Sequence, residues 1–251
     1  MSEFSLSVAI ENKLVEMNHR HMQTISKNLK PGYCLRSAKL LYRARGNIII
    51  GTGFPVAGTF ETDGPVGAMA LYQELQRSGC TPWIACAPKL AEVLKNNHRI
   101  LALPVNDYQA AIKFATEKLA ELQPEVIISI ERPGITSDGN YYNMRGENIN
   151  IETAIFDPFF KLSECPTIGI GDGGNEIGMG NILPALDHLQ LVASTTTCDE
   201  LIVADVSNWG AYGLIAFLNL WSGSKLLKQI SHSNLIEQMV INGACDGVTK
   251  K

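Results

Sequence analysis

Short apolar runs alternate along the chain with longer stretches whose apolar residues recur at helical spacing. Asn47–Ile50, Pro82–Ala85, Val126–Ile130, Thr167–Ile170 and Leu201–Ala204 read as strands. Between and after them, Pro65–Arg77, Pro88–Asn96, Asp107–Leu122, Asn175–Leu189 and Asn208–Trp221 read as helices, with start signals at Pro65 and Asn208. The runs GNIII and EVIISI are almost continuously apolar, as expected of strands covered on both faces. This alternation predicts βαβ crossovers and an α/β, doubly wound, mostly parallel, Rossmann-like sheet with helices on both faces. An N-terminal helical preface, Leu6–Leu29, stops at Lys30-Pro31-Gly32. No repeat or linker divides the sequence, so residues 1–251 are expected to form one domain.

Composition narrows the function classes. With 21 Lys and Arg against 25 Asp and Glu, the chain has no cationic surplus to neutralise a nucleic-acid backbone. Its longest apolar stretches, such as Leu214–Trp221, are far short of the roughly 20 residues that cross a bilayer. The N-terminus lacks the marks of a signal or transit peptide, and a cytoplasmic protein is expected. Six cysteines without a C-x-x-C pair predict reduced thiols rather than a zinc cage.

In an open parallel sheet ligands bind beyond the carboxyl ends of the strands, and three loops there are unusual. The first, from Gly51 to Pro65, includes Thr52, Gly53, Glu61 and Asp63 and enters a helix whose free N–H groups attract anions. Asp63 reads either as a helix cap or as a catalytic carboxyl; Glu61 has no capping role. The second begins Glu131-Arg132-Pro133-Gly134 and continues through Asp138, Asn140, Tyr141, Asn143 and Arg145. Acid and guanidinium groups together suit a zwitterion such as an amino acid, or else pair with one another to close a long loop.

The third loop runs from Gly171 through Asp172, Gly173, Gly174, Asn175 and Glu176 to Gly180. Gly169-x-Gly171-x-x-Gly174 has the dinucleotide spacing, but it lies two-thirds along the chain and puts Asp172 where a pyrophosphate would sit, so no NAD is expected, nor PLP. Asp172, Asn175 and Glu176 offer oxygen ligands for Mg²⁺ or Mn²⁺, with Asp172 and Glu176 the leading pair, or a carboxylate for proton transfer; helix capping is the alternative. After the last strand, Ser207 or Asn208 caps a helix, or else Asn208 and Trp209 line a pocket. There is no G-x-x-x-x-G-K-[ST], G-x-S-x-G or H-E-x-x-H, and His19, His21, His98, His188 and His232 all lie outside the three loops. His19 and His21 are expected to be exposed helix residues.

The strings ETDGPVGA, ERPG, DGNYYNMRG, GIGDGGNEIGMG and VSNWGAYGL resemble the D-glutamate cyclase family over roughly Gly46–Leu220. Asp205 lies outside that pattern. The resemblance implies a lyase interconverting D-glutamate and 5-oxo-D-proline plus water, sensitivity to divalent cations, and a homodimer acting on a small molecule. On that chemistry Asp172 or Glu131 deprotonates the amine, Arg132 or Arg145 holds the carboxylates, and Glu61 or Asp63 protonates the leaving oxygen. A non-catalytic sensor of an acidic amino acid or nucleotide and a Mg²⁺-dependent phosphate-ester enzyme are the competing readings.

Overall fold

A computed structural model describes residues 1–249. The strands are β1 (Asn47–Thr52), β2 (Pro55–Val56), β3 (Thr59–Phe60), β4 (Thr81–Cys86), β5 (Ile100–Ala102), β6 (Val126–Ile130), β7 (Thr167–Gly171) and β8 (Glu200–Val203). Six of them form one sheet in the order β5-β4-β1-β6-β7-β8, every neighbouring pair parallel, while β2 and β3 make a separate two-stranded hairpin. The strand order reverses between β1 and β6. That reversal leaves a crevice at the carboxyl ends of the two strands, the general ligand position of such sheets.

The helices are α1 (Glu3–Leu14), α2 (Met22–Ser26), α3 (Tyr33–Arg43), α4 (Pro65–Arg77), α5 (Pro88–Leu94), α6 (Tyr108–Leu122), α7 (Asp157–Leu162), α8 (Leu183–Leu186), α9 (Ser207–Ser222), α10 (Leu226–Gln229) and α11 (His232–Ile241). Strand alternation sorts the core into two layers. Ile48, Ile50, Ile128, Ile130, Ile168 and Ile170 point to the face covered by α3, α4 and α9. Ile49 and Ile127 point to the other, against Ala115 of α6 and Phe156, Phe159 and Phe160 at α7. Each such isoleucine, withdrawn fully from water, contributes about 1.5–3 kcal/mol before entropic costs.

The expected strands are all present, to within a residue or two at their ends. Two expectations are corrected. Asn175–Leu189 is not one helix: the chain folds back on the end of β7, and only a 3-10 turn at Met179–Ile182 and the single turn of α8 are helical. Gly178, at φ 103°, takes a backbone conformation that L side chains rarely adopt, and an added Cβ would lie 3.0 Å from the Cys198 sulfur. The N-terminal preface is likewise two helices. Between them Asn18, Arg20 and His21 have φ of 54°, 50° and 64°, so His19 and His21 occupy a strained turn rather than a helix face.

Cys34, Cys80, Cys86, Cys165 and Cys198 are free thiols, and among the described residues no helix is long and apolar enough to cross a membrane.

Candidate active site

Two helices begin at the crevice, and each supplies the other's cap. Asp63, between β3 and α4, accepts hydrogen bonds from the backbone N–H groups of Ser207 (2.8 Å) and Asn208 (2.7 Å), which open α9. Asn208 in turn accepts from Gly64 (3.0 Å) and Gly67 (2.6 Å) at the start of α4. Neither helix carries a side-chain cap of its own. The exchange locks their positive ends together beside Asp63. Gly64, at φ 93°, permits the turn, since a Cβ there would lie 2.8 Å from Thr52 Oγ1 and 2.9 Å from the Ile130 carbonyl oxygen.

Glu131 lies immediately after β6 in a left-handed conformation, φ 50°, that turns its buried carboxylate onto the Ser207 hydroxyl at 2.5 Å. Such a geometry in a non-glycine residue costs on the order of 1–3 kcal/mol and is characteristic of functional positions. Asp172 follows β7. One carboxylate oxygen each from Asp63, Glu131 and Asp172 lie within 4.8 Å of one another. Glu61 and Glu176 are near enough to add to the same field.

Five buried or half-buried carboxyl groups so close together cannot all be ionised without a counter-charge. Burial, and then repulsion from neighbours, holds Glu61, Glu131 and Asp172 well above the ordinary carboxyl range. Burial also raises Asp63, but the N–H groups of Asn208, Ser207 and Gly64 oppose the shift. Glu176 is raised by burial and restrained by the Gly174 N–H, which it accepts at 2.7 Å.

The cation facing this cluster is Arg20, from the strained N-terminal turn. Its Nη2 forms an ion pair with the Asp172 carboxylate, and its Nε donates to the Asp172 carbonyl oxygen at 2.8 Å. Burial opposes the charge on Arg20, but Asp172, Glu131, Glu176 and Asp63 outweigh it and raise its pKa. Asp205 places the turn by accepting from the N–H groups of Met17 (2.8 Å) and Asn18 (3.1 Å), while its own N–H donates to Leu14.

These groups lie in a cleft of about 740 Å³. Of the residues expected from the sequence, Glu61, Asp63, Glu131, Asn143, Arg145, Asp172, Asn175 and Asn208 line it. Arg145 sits near the C-terminal segment, donating to the Val248 carbonyl oxygen at 3.1 Å. That segment covers Glu61: Cys245 bonds to the backbone of Phe60 and Thr62, and a Cβ on Gly247 would fall 2.0 Å from a Glu61 carboxylate oxygen.

Other expected residues stand apart from the cleft lining. Arg132 is fully buried and donates to the carbonyl oxygens of Thr52 and Gly53, so it ties β1 to β6 and does not reach the cleft. Burial lowers it to about 10. Asp138 holds its own loop through Thr136, Tyr142 and Asn140. Tyr141 donates to buried Asp157 at 2.7 Å, and Asn140 accepts from Asn150 at 2.7 Å. Gly171, Gly173 and Gly174 shape the turn on which Asp172 rides, and Trp209 lies on α9 just past the caps. Glu176 is turned onto its own loop, so the oxygens that converge as a cation site are those of Asp63, Glu131 and Asp172.

The sequence singles out Ser207 only as a helix cap beside Asn208, and it gives Arg20 and Asp205 no role in the site. Arg20 belongs to a segment read as helix, and its partner Asp172 lies 152 residues away in the chain.

Residues 11–251 match the family described as D-glutamate cyclase-like, C-terminal. The chain is 35% identical over 211 residues to the mitochondrial D-glutamate cyclase of Homo sapiens, an alignment covering 73% of this chain and 34% of that protein. It therefore spans about a third of the length of the curated relative it matches. Among solved structures, an exopolyphosphatase-related protein from Bacteroides fragilis aligns with TM-score 0.43 and 16% identity over 88% of this chain and 52% of that one. A family 9 glycosyl transferase from Veillonella parvula aligns with TM-score 0.32 and 12% identity over 63% and 45%.

Proposed function

The chain belongs to the D-glutamate cyclase-like family, and from that premise we propose that it interconverts D-glutamate and 5-oxo-D-proline plus water. The observation carrying this reading is the group of carboxyls, Glu61, Asp63, Glu131 and Asp172, gathered with the Arg20 guanidinium at the strand-order reversal.

The stoichiometry suits such a cluster. Closing the lactam takes two protons from the ammonium nitrogen and delivers two to the departing oxygen, with no net exchange with solvent. Carboxyls raised by burial and by one another's charge can accept at one point and donate at another. Asp172, where the Arg20 guanidinium favours the ionised form against burial and acidic neighbours, takes the proton from the ammonium and frees the lone pair that attacks the γ-carbon. Glu61, kept protonated by burial and its acidic neighbours, supplies the proton with which oxygen leaves. Glu131, aimed by Ser207, relays between them. In the opposite direction the same groups exchange roles and water adds to the lactam carbonyl. Ring closure is already intramolecular, so a cleft that holds both ends of the molecule adds rate mainly by fixing a near-attack geometry.

The oxygens of Asp63, Glu131 and Asp172 also fit a hard divalent ion such as Mg²⁺ or Mn²⁺, which would polarise the γ-carboxyl and offset the negative excess.

Incubation of the purified chain with D-glutamate, with and without Mg²⁺ or Mn²⁺, is expected to give a product lighter by one water that co-elutes with 5-oxo-D-proline. Absence of product under all these conditions, and of hydrolysis of 5-oxo-D-proline, would refute the reading.

A further inference from the structure

Arg20 is bound on one edge only. Nε and Nη2 are committed to the Asp172 carbonyl and carboxylate, with a longer contact from Nη2 to the Asp205 carbonyl oxygen at 3.4 Å. Among the described residues no acceptor is paired with Nη1. The side chain lines the cleft and is partly open, at 29% exposure, against 8% for Asp172. Two further polar atoms on cleft-lining residues, Asn175 Oδ1 and Asp205 Oδ1, are buried without a partner. The cleft thus presents a fixed guanidinium with one open edge directly beside a carboxylate.

An α-amino acid head group carries the complementary pair, carboxylate and ammonium on one carbon. We propose that the Arg20–Asp172 ion pair is the receptor for this head group, the ligand's α-carboxylate docking on Nη1 of Arg20 and its ammonium on the Asp172 carboxylate. The inference rests on the reading of the substrate as an amino acid and deepens it by naming which end binds where. A guanidinium orients a carboxylate directionally, which a lysine ammonium does not. The acidic surplus favours the ammonium: among the residues lining the cleft, acidic side chains outnumber guanidinium groups by eight to two. A head group held this way places its nitrogen against Asp172 and sends the γ-carboxyl toward Glu61 and Arg145. Asp205 acts as a positioning residue, since it fixes the turn that delivers Arg20.

D-Norvaline has the head group but no γ-carboxyl, so it binds without reacting. Titration calorimetry of wild type and Arg20→Ala with D-norvaline, butylamine and pentanoate separates the possibilities. Wild type is expected to bind D-norvaline more tightly than either single-charge compound. Arg20→Ala is expected to lose about tenfold or more in affinity for D-norvaline, the worth of a charge-assisted contact, while its affinity for butylamine rises because the cluster has lost its counter-charge. Arg20→Lys should retain part of the D-norvaline affinity. A purely structural lesion would weaken both ligands together. Parallel loss of both, unchanged D-norvaline binding in Arg20→Ala, or no D-norvaline binding by wild type would each overturn the proposal. D-Glutamate turnover by wild type, assayed alongside, separates the two readings: absent turnover with the opposed shifts intact overturns the cyclase reading alone.

Discussion

Glu61 gives the clearest consequence at the scale of single residues. Its carboxyl is pushed well above the usual 4.5 by burial, then by Asp63 and Asp172, so the folded chain holds a proton that the unfolded chain releases. A raised folded-state pKa contributes stability that is complete below the unfolded value and is lost as pH rises through the folded one. The thermal midpoint of the wild type is therefore expected to fall as pH rises above the ordinary carboxyl range, and Glu61→Gln, neutral throughout, should flatten that slope. Midpoints from circular dichroism across the range check it; a slope identical in the two proteins would contradict the assignment. Glu131 belongs to the same set, with Ser207 holding its orientation against a left-handed backbone. Ser207→Ala is expected to lower kcat by about tenfold or more, the worth of one charge-assisted hydrogen bond that aims the carboxylate, while unfolding shifts by only about 1 kcal/mol.

At the scale of elements, the crossed caps between α4 and α9 hold the site together. Asn208→Ala strips the acceptor from Gly64 and Gly67 and is expected to cost about 1–2 kcal/mol in urea unfolding, the usual worth of a lost cap. Gly67→Ala acts on the same contact from the opposite helix. The new Cβ would lie 2.9 Å from Asn208 Oδ1 and 3.0 Å from Ala211 Cβ, so the helices must separate, at about 1–3 kcal/mol and with loss of turnover. An unfolding midpoint unchanged by both substitutions would mean that the caps do not matter. The elements themselves were largely legible: GNIII and EVIISI are β1 and β6, and Pro65 starts α4 where a Pro-initiated helix should start. The failure at Asn175–Leu189 has a physical cause. Its apolar residues have helical spacing, but they serve a loop whose glycines pack against Cys198 and Thr195. Asp63 offered capping and chemistry as rival readings, and the structure places it as the cap of a helix that begins 144 residues later while its carboxyl faces Asp172. Local sequence cannot reveal that partner, because only the sheet topology brings α9 to α4.

Over the whole molecule, the strand order makes one end of β1, β6 and β7 the meeting place of loops from distant parts of the chain. The N-terminal turn brings Arg20 and the C-terminal segment covers Glu61, so residues from both ends of the described chain complete a site centred on the middle. Binding at such a point stabilises the global fold. Mg²⁺ or Mn²⁺ at about 100 times its dissociation constant should add about 2.7 kcal/mol, seen as a higher thermal midpoint that is lost in Glu131→Gln. No midpoint shift in the wild type would exclude a cation site formed by Asp63, Glu131 and Asp172.

The most direct test of the carboxyl cluster as the proton-moving centre is kcat for D-glutamate cyclisation by wild type and Asp172→Asn, both verified as folded by circular dichroism. A fall of at least about 10²-fold is expected, the lower end of general acid–base contributions. An Asp172→Asn protein that cyclises D-glutamate at the wild-type rate would contradict it.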